Sequence, residues 1–342
     1  MLKNRLTGTL AAIAAFLALG GSTPDVTPKV ASQDFLIPSG TPGIELFVRN
    51  KHAVGLKHFK PERTVLYVHG ASLASELVFD LPIGGTSWAD SLARQGWDVW
   101  MVDIRGYGRS TWPEALRQPA EANPPVATTE EAVADFTAAA DFIRSKRRLD
   151  RLQVIGWSWG SVIAGSFAAQ RPDQVAALVL VTPLWVNDNP ATQPPLPKTA
   201  WLEWTLANSR TRIQKGVPAD QTDAILPPAT VALWEQAVRD SQPESAGKSP
   251  ELFRSPTGVM ADPSWRGEAS YDPGRITAPT LIIRGAWDEL TPRAMSQGLF
   301  ARLTAAPVRT LTEIPRASHF VIAETGRDTL FAEVQAFLAR RP

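Results

Sequence analysis

Short apolar runs alternate with stretches of helical periodicity along most of the chain. Residues 34–38 and 44–49 are apolar or alternating on either side of a Gly/Pro turn, which predicts a hairpin of extended strands. Residues 64–69, 98–103, 152–155, 176–181, 279–283 and 307–311 are apolar and rich in β-branched side chains, the pattern of strands covered on both faces. Between them the period lengthens. Residues 88–95 read as a helix stopped by Gly96, and residues 129–146 as a longer one that Thr129 can cap, with Val133, Phe136, Ala140 and Ile143 on one face. Residues 158–170 and 328–338 complete the helical set. Strands alternating with helices predict an α/β fold: an eight-stranded, mostly parallel sheet, its first two strands antiparallel, with helices on both faces.

Two stretches break this rhythm. From 183 to 272 no clear strand is visible, and Pro-rich pieces separate short helical patterns at 201–207 and 229–238. The sheet pattern resumes afterwards, so this stretch is expected to be a helical lid inserted after the sixth strand. At the N-terminus, Lys3 and Arg5 precede an apolar run over 10–19 that ends in Gly20, Gly21 and Ser22. The run falls short of the roughly 20 residues of a membrane span, which predicts a signal peptide over 1–22, a periplasmic or secreted protein and no stable membrane anchor. The expected organisation is therefore 1–22 signal peptide, 23–182 first part of the core, 183–272 lid and 273–342 second part of the core.

Composition narrows the chemistry. Lys and Arg number 35 against 34 Asp and Glu, so no excess of positive charge points to nucleic acid, and the basic cluster 144–148 reads as a solvated helix end. The chain has no cysteine, which removes disulfides, thiolate metal sites and cysteine nucleophiles. Its four histidines, His52, His58, His69 and His319, are scattered without metal-ligand spacing, and no metal or cofactor is expected.

The strongest chemical signal is Gly156-Trp157-Ser158-Trp159-Gly160, which follows a strand and opens a helix. A turn that sharp crowds the backbone, so glycines two residues either side of the serine let it form and lift the hydroxyl above the sheet. A serine needs a base. Of the four histidines, His319, between the last strand and the last helix, is the one positioned to serve, and His69 is expected to be structural. The base needs a carboxylate to fix its tautomer. Asp288, just past the seventh strand, is the candidate, with Asp188 after the sixth strand as the alternative. Backbone N–H groups of Trp159 and of Ala71, in the loop after the third strand, are expected to face a developing oxyanion.

Taken together, His69-Gly70, the Asp103–Ser110 stretch Asp-Ile-Arg-Gly-Tyr-Gly-Arg-Ser, the Gly156–Gly160 turn, Gly285-Ala-Trp-Asp288 and Ser318-His319 occur in an order that resembles the α/β-hydrolase fold serine hydrolases, over essentially all of the chain after residue 22. The resemblance implies a Ser-His-Asp triad of Ser158, His319 and Asp288, with Asp103–Ser110 shaping the core. Epoxide hydrolases and haloalkane dehalogenases share the lidded layout but need an aspartate where this chain has Ser158. The Ser-Trp-Gly of the turn is similar to that of proline iminopeptidases, which use lid acids to hold a substrate amine. Glu203 and Glu235 are the residues available for that, although here His69-Gly-Ala-Ser-Leu73 replaces their His-Gly-Gly-Pro-Gly.

Trp157, Trp185 and Trp287 are candidates for an aromatic-lined substrate pocket. With Trp201, Trp204, Trp234 and Trp265 they are equally suited to packing an insertion poor in secondary structure. The expected activity is hydrolysis of a small-molecule carboxylic ester with an apolar or aromatic group. The alternatives are an aminopeptidase or amidase on the same triad, or an inactive binding protein of the same fold.

Overall fold

The computed structural model describes residues 27–242 and 252–340, so the expected signal segment 1–22 lies outside the described residues. β1 (Val30–Pro38) and β2 (Glu45–Ala53) pair antiparallel as the hairpin. Then follow β3 (Thr64–Val68), α1 (Ser75–Phe79), α2 (Trp88–Arg94), β4 (Asp98–Val102), α3 (Thr129–Arg147), β5 (Leu152–Trp157), α4 (Trp159–Gln170) and β6 (Val175–Val181). The stretch after β6 holds β7 (Trp201–Thr205), α5 (Leu206–Ile213), α6 (Thr222–Ile225), α7 (Pro228–Ser241) and β8 (Leu252–Pro256). β9 (Thr280–Gly285), α8 (Arg293–Arg302), β10 (Arg309–Ile314) and α9 (Arg327–Ala339) complete the core.

The main sheet runs β1-β2-β4-β3-β5-β6-β9-β10, parallel from β4 onward, with β2 antiparallel to β4. Its central strands are apolar because both faces are covered. Leu66, Trp100, Val154, Leu180 and Ile282 pack with Phe136 of α3, Phe167 of α4 and Leu299 of α8. Their neighbours Val65, Met101, Ile155, Val179 and Ile283 pack on the other face with Trp88 of α2 and Val334 of α9. The connection from β3 leads to β4 on one side, and the chain then returns to β5 on the other. The carboxyl ends of β3 and β5 therefore flank the point where the strand order reverses, the place where open α/β sheets bind ligands.

The Asp103–Ser110 turn is structural. Asp103 is buried and accepts from the amides of Ser75 (2.9 Å) and Arg109 (3.0 Å), while the Arg105 guanidinium grips Asp135 of α3 at 2.5 and 2.9 Å.

Three local expectations are corrected. The cap of α3 is Thr128, whose hydroxyl accepts from the Glu131 amide while the Glu131 carboxylate accepts from the Thr128 amide, a reciprocal box that Thr129 has no partner to form. The basic tail of α3 is only partly solvated, because Arg147 turns inward onto Asp98 (2.8 Å) and lies 3.7 Å from the centre of the Phe59 ring. Residues 201–205 are a strand. Trp201-Leu-Glu-Trp-Thr205 satisfies either period, and an antiparallel partner about fifty residues later, Leu252–Pro256, decides it. The Trp204 indole seals the pair by donating to Ser255 Oγ at 2.8 Å.

Candidate active site

β5 ends directly on Ser158, which takes φ 57°, ψ −123° as the cap of α4. A non-glycine residue rarely adopts this conformation, and the surroundings hold it there. The Ser158 amide donates to Val181 of β6 (2.9 Å), and the Ser158 carbonyl accepts from the Ser161 amide (2.9 Å) and hydroxyl. The flanking glycines are required by space. A Cβ at Gly156 would overlap the Gly160 carbonyl, and one at Gly160 would overlap the carbonyls of Val68 and His69.

Ser158 Oγ lies 2.8 Å from His319 Nε2, and His319 Nδ1 lies 2.9 Å from Asp288 Oδ2. Since an ionised carboxylate only accepts, Nδ1 carries the proton and Nε2 turns its lone pair to the serine. The structure thus brings the three expected residues into one hydrogen-bonded line, on the loops that follow β5, β9 and β10. All three are buried, with Ser158 the most exposed at 7%. Asp188, the alternative acid, is exposed.

Asp288 is held by more than the histidine. Oδ1 accepts from the amides of Leu290 (2.9 Å) and Thr291 (3.0 Å), and Oδ2 accepts from the Thr291 hydroxyl (2.7 Å). Burial alone would raise its pKa. The charge and hydrogen bond of His319 and the two Thr291 donors outweigh burial and hold the carboxyl below its ordinary value. Sequence reasoning missed Thr291, although an Asp followed two and three residues later by its own turn amides is an Asx turn, and Asp-x-x-Thr-Pro is a readable signal for one.

The loop after β3, expected to face the oxyanion, sits against the serine: a Cβ on Gly70 would stand 2.8 Å from Ser158 Cβ. Among the described residues, neither the Ala71 nor the Trp159 amide donates to a protein acceptor. The Trp159 amide is free because it opens a helix, where the helix dipole also favours negative charge. His69 is structural: Nε2 accepts from the Ile104 amide (3.0 Å), Nδ1 donates to the Gly70 carbonyl (2.8 Å), and burial pulls its pKa down to about 4, so the ring stays neutral.

The predicted pocket tryptophans serve elsewhere. Trp157 is buried, and its indole donates to the His319 carbonyl at 3.0 Å, tying the two halves of the site together. Trp185 is buried against Tyr271, and Trp287 does not line the neighbouring cavity. That cavity, about 310 Å³, is lined by Ala71 and Ser72 of the oxyanion loop, by Leu290 beside Asp288, and by Trp204, Arg212 and Trp265 of the insertion. Among the described residues no group of His, Asp and Glu converges where it could hold a metal ion, and no helix is long and apolar enough to cross a membrane.

Behind His319, Glu324 is 1% exposed and accepts from the Ser318 amide (2.7 Å) and hydroxyl. Burial pushes its pKa up to about 7 against those two hydrogen bonds, and the nearby Asp288 charge adds to the rise. An unfolded glutamate titrates near 4.3, so the folded chain holds an extra proton between the two values. Stability from this group is therefore complete below about pH 4 and lost as the pH rises through 7, a swing of about 3 kcal/mol. Glu324→Gln keeps an acceptor for the Ser318 amide and cannot ionise. In urea unfolding from pH 5 to pH 8 it is expected to gain on the parent by up to that amount, and parallel curves would refute the shift.

The sequence pattern of the family described as serine aminopeptidase, S33 matches residues 60–326. The pimeloyl-[acyl-carrier protein] methyl ester esterase of Chromobacterium violaceum is 28% identical over 234 residues, covering 65% of this chain and 76% of its own. A probable proline iminopeptidase of Leptolyngbya boryana is 21% identical over 321 residues, covering 82% and 88% respectively. Among solved structures, an esterase from Thermogutta terrifontis superposes with a TM-score of 0.58 at 19% identity, covering 90% of this chain and 98% of its own; at that identity the likeness speaks to the fold alone.

Proposed function

Because the chain belongs to the serine aminopeptidase, S33 family and has the α/β-hydrolase fold, we propose that it is a serine hydrolase cleaving a carboxylic ester through an acyl-enzyme intermediate. The observation that carries this reading is the buried line from Asp288 through His319 to Ser158, ending on a hydroxyl beside two unpaired amides. Ser158 Oγ attacks the ester carbonyl as its proton passes to His319 Nε2, and Asp288 stabilises the imidazolium. The Ala71 and Trp159 amides meet the charge that develops on the former carbonyl oxygen. His319 then protonates the departing alkoxide as the C–O bond breaks, leaving the acyl group on Ser158. Water, deprotonated by His319, attacks the acyl carbon; Ser158 recovers its proton and the acid leaves. The insertion after β6 acts as the lid.

An ester is favoured over a peptide with a free amine. The two lid acids named for holding an ammonium lie off the cavity: Glu203 is exposed on β7, and Glu235 pairs with Arg239 at 3.3 Å; the one carboxylate on the cavity wall, Glu289, is exposed. The half-buried charge that does line it is a cation, Arg212. The relative whose name gives a reaction on a methyl ester is also the more similar of the two relatives described, 28% against 21% identical.

Treatment with a fluorophosphonate is expected to add one adduct by intact mass, on Ser158, alongside turnover of p-nitrophenyl esters from acetate to laurate. Turnover of prolyl-nitroanilide without ester turnover would replace the ester reading with the aminopeptidase one. A folded protein that takes no adduct would overturn both.

A further inference from the structure

The cavity beside the oxyanion loop contains a charge that the reaction above does not use. Arg212 stands in the last turn of α5 and is half-buried, its guanidinium 5.0 Å from the centre of the Trp204 ring. Among the described residues no carboxylate forms an ion pair with it and no acceptor takes its hydrogen bonds. Three other guanidiniums withdrawn from water are answered by carboxylates: Arg105 by Asp135, Arg147 by Asp98 and Arg284 by Glu313. Burial lowers the Arg212 pKa, and the one neighbouring group whose charge bears on it is Tyr107. A cation withdrawn from water without a counter-charge is costly, and an anion entering the cavity would relieve it.

The remaining charges of the cavity wall do not supply that anion. Lys215 adds a second cation, and Glu289, the one carboxylate on the wall, is exposed and is not in ion-pair contact with Arg212. The guanidinium lies over the Trp204 ring, and its paired N–H groups suit a planar two-oxygen acceptor. Ala71 and Arg212 line the same cavity, so one ligand of modest size can place an ester carbonyl at the loop that carries Ala71 and its far end at Arg212.

We propose that Arg212 is a specificity-determining residue that binds a free carboxylate at the end of the substrate remote from the scissile bond, so that the preferred substrates are half-esters of dicarboxylic acids or esters of similar shape. This rests on the ester-hydrolase reading and names its substrate class. It adds a charged end to the sequence-based expectation of a substrate with an apolar or aromatic group.

The test compares monomethyl esters of the diacids from succinate to suberate with the matching dimethyl esters. At the best chain length the parent protein is expected to favour the anionic member by about 10- to 100-fold in kcat/KM, the range of hydrogen bonds to charged groups. Arg212→Met is expected to erase that preference while leaving dimethyl ester turnover within about threefold, and Arg212→Lys to restore part of it. Equal losses on both members of a pair would mean a structural role and overturn the proposal, as would a parent protein with no preference. Calorimetry on Ser158→Ala, with and without Arg212→Met, measures binding of the half-esters independently of catalysis. Loss of at least tenfold in affinity with Arg212→Met supports the assignment even if no ester is turned over, in which case only the hydrolase reading falls. Butyl phosphate binding more tightly than the best half-ester would assign the site to phosphate and overturn the carboxylate.

Discussion

Ser158→Ala is expected to lower kcat on every ester by about five to six orders of magnitude, with folding intact. The size follows from how the site is built. Ser158 supplies the one protein atom that becomes bonded to the acyl carbon in the proposed route, and in the acylation step the proton that His319 Nε2, 2.8 Å away, takes is the serine's own. Removing the hydroxyl therefore disables the base and the nucleophile together, which is why such losses exceed what a single hydrogen bond is worth. The backbone amides of Ala71 and Trp159 remain, so the variant should still exceed the uncatalysed rate by about three orders of magnitude. Single-turnover kinetics with p-nitrophenyl acetate measures both ends of that range. A loss below about tenfold would mean that another group attacks.

Asp288→Asn is expected to cost about four orders of magnitude in kcat. The reason lies in which oxygen is already committed. Oδ1 accepts from two backbone amides, Leu290 and Thr291, and an amide nitrogen cannot take that place without opposing two N–H groups. The asparagine must keep its oxygen there and turn its NH2 toward His319 Nδ1. That donor forces the imidazole proton onto Nε2, where it faces Ser158 and leaves no lone pair to receive the serine proton. The effect should fall on kcat far more than on KM, since the cavity wall is untouched. Asp288→Glu, which keeps the carboxylate but displaces it, should recover part of the activity if orientation and charge both matter. Activity within tenfold of the parent in the asparagine variant would show that Asp288 does not set the tautomer.

The parts of this molecule that could be read from sequence are those fixed over short distances or by burial on both sides. β3 through β6 announce themselves because helices cover both sheet faces, leaving nearly every position apolar apart from Thr64, Asp98 and Gln153. The turn at Ser158 is legible because the two glycines it needs sit two residues either side of the serine, Gly156 crowded by Gly160 itself and Gly160 by the carbonyls of Val68 and His69. Pairing across distance was not legible. The strand at 201–205 is settled by a partner at 252–256, and the same five residues carry helical spacing just as well. The tryptophans show the limit in another form: aromatic side chains fit a core and a cavity wall equally, so Trp157 and Trp185 went to the core while Trp204 and Trp265 face the cavity. Arg212 carries no sequence signal at all, because what distinguishes it is the partner it lacks.

The main-chain conformation at Ser158 has a consequence for how this protein can change. At φ 57° and ψ −123° any side chain is uncomfortable, and strain of this kind costs on the order of 1–3 kcal/mol. Glycine would fit the turn better than serine does, yet would carry no hydroxyl. Folding and turnover therefore pull position 158 in opposite directions. A library sorted by melting temperature or expression yield will drift toward inert chains there, so any effort to make this protein hardier has to hold that one codon fixed and look for its gains elsewhere.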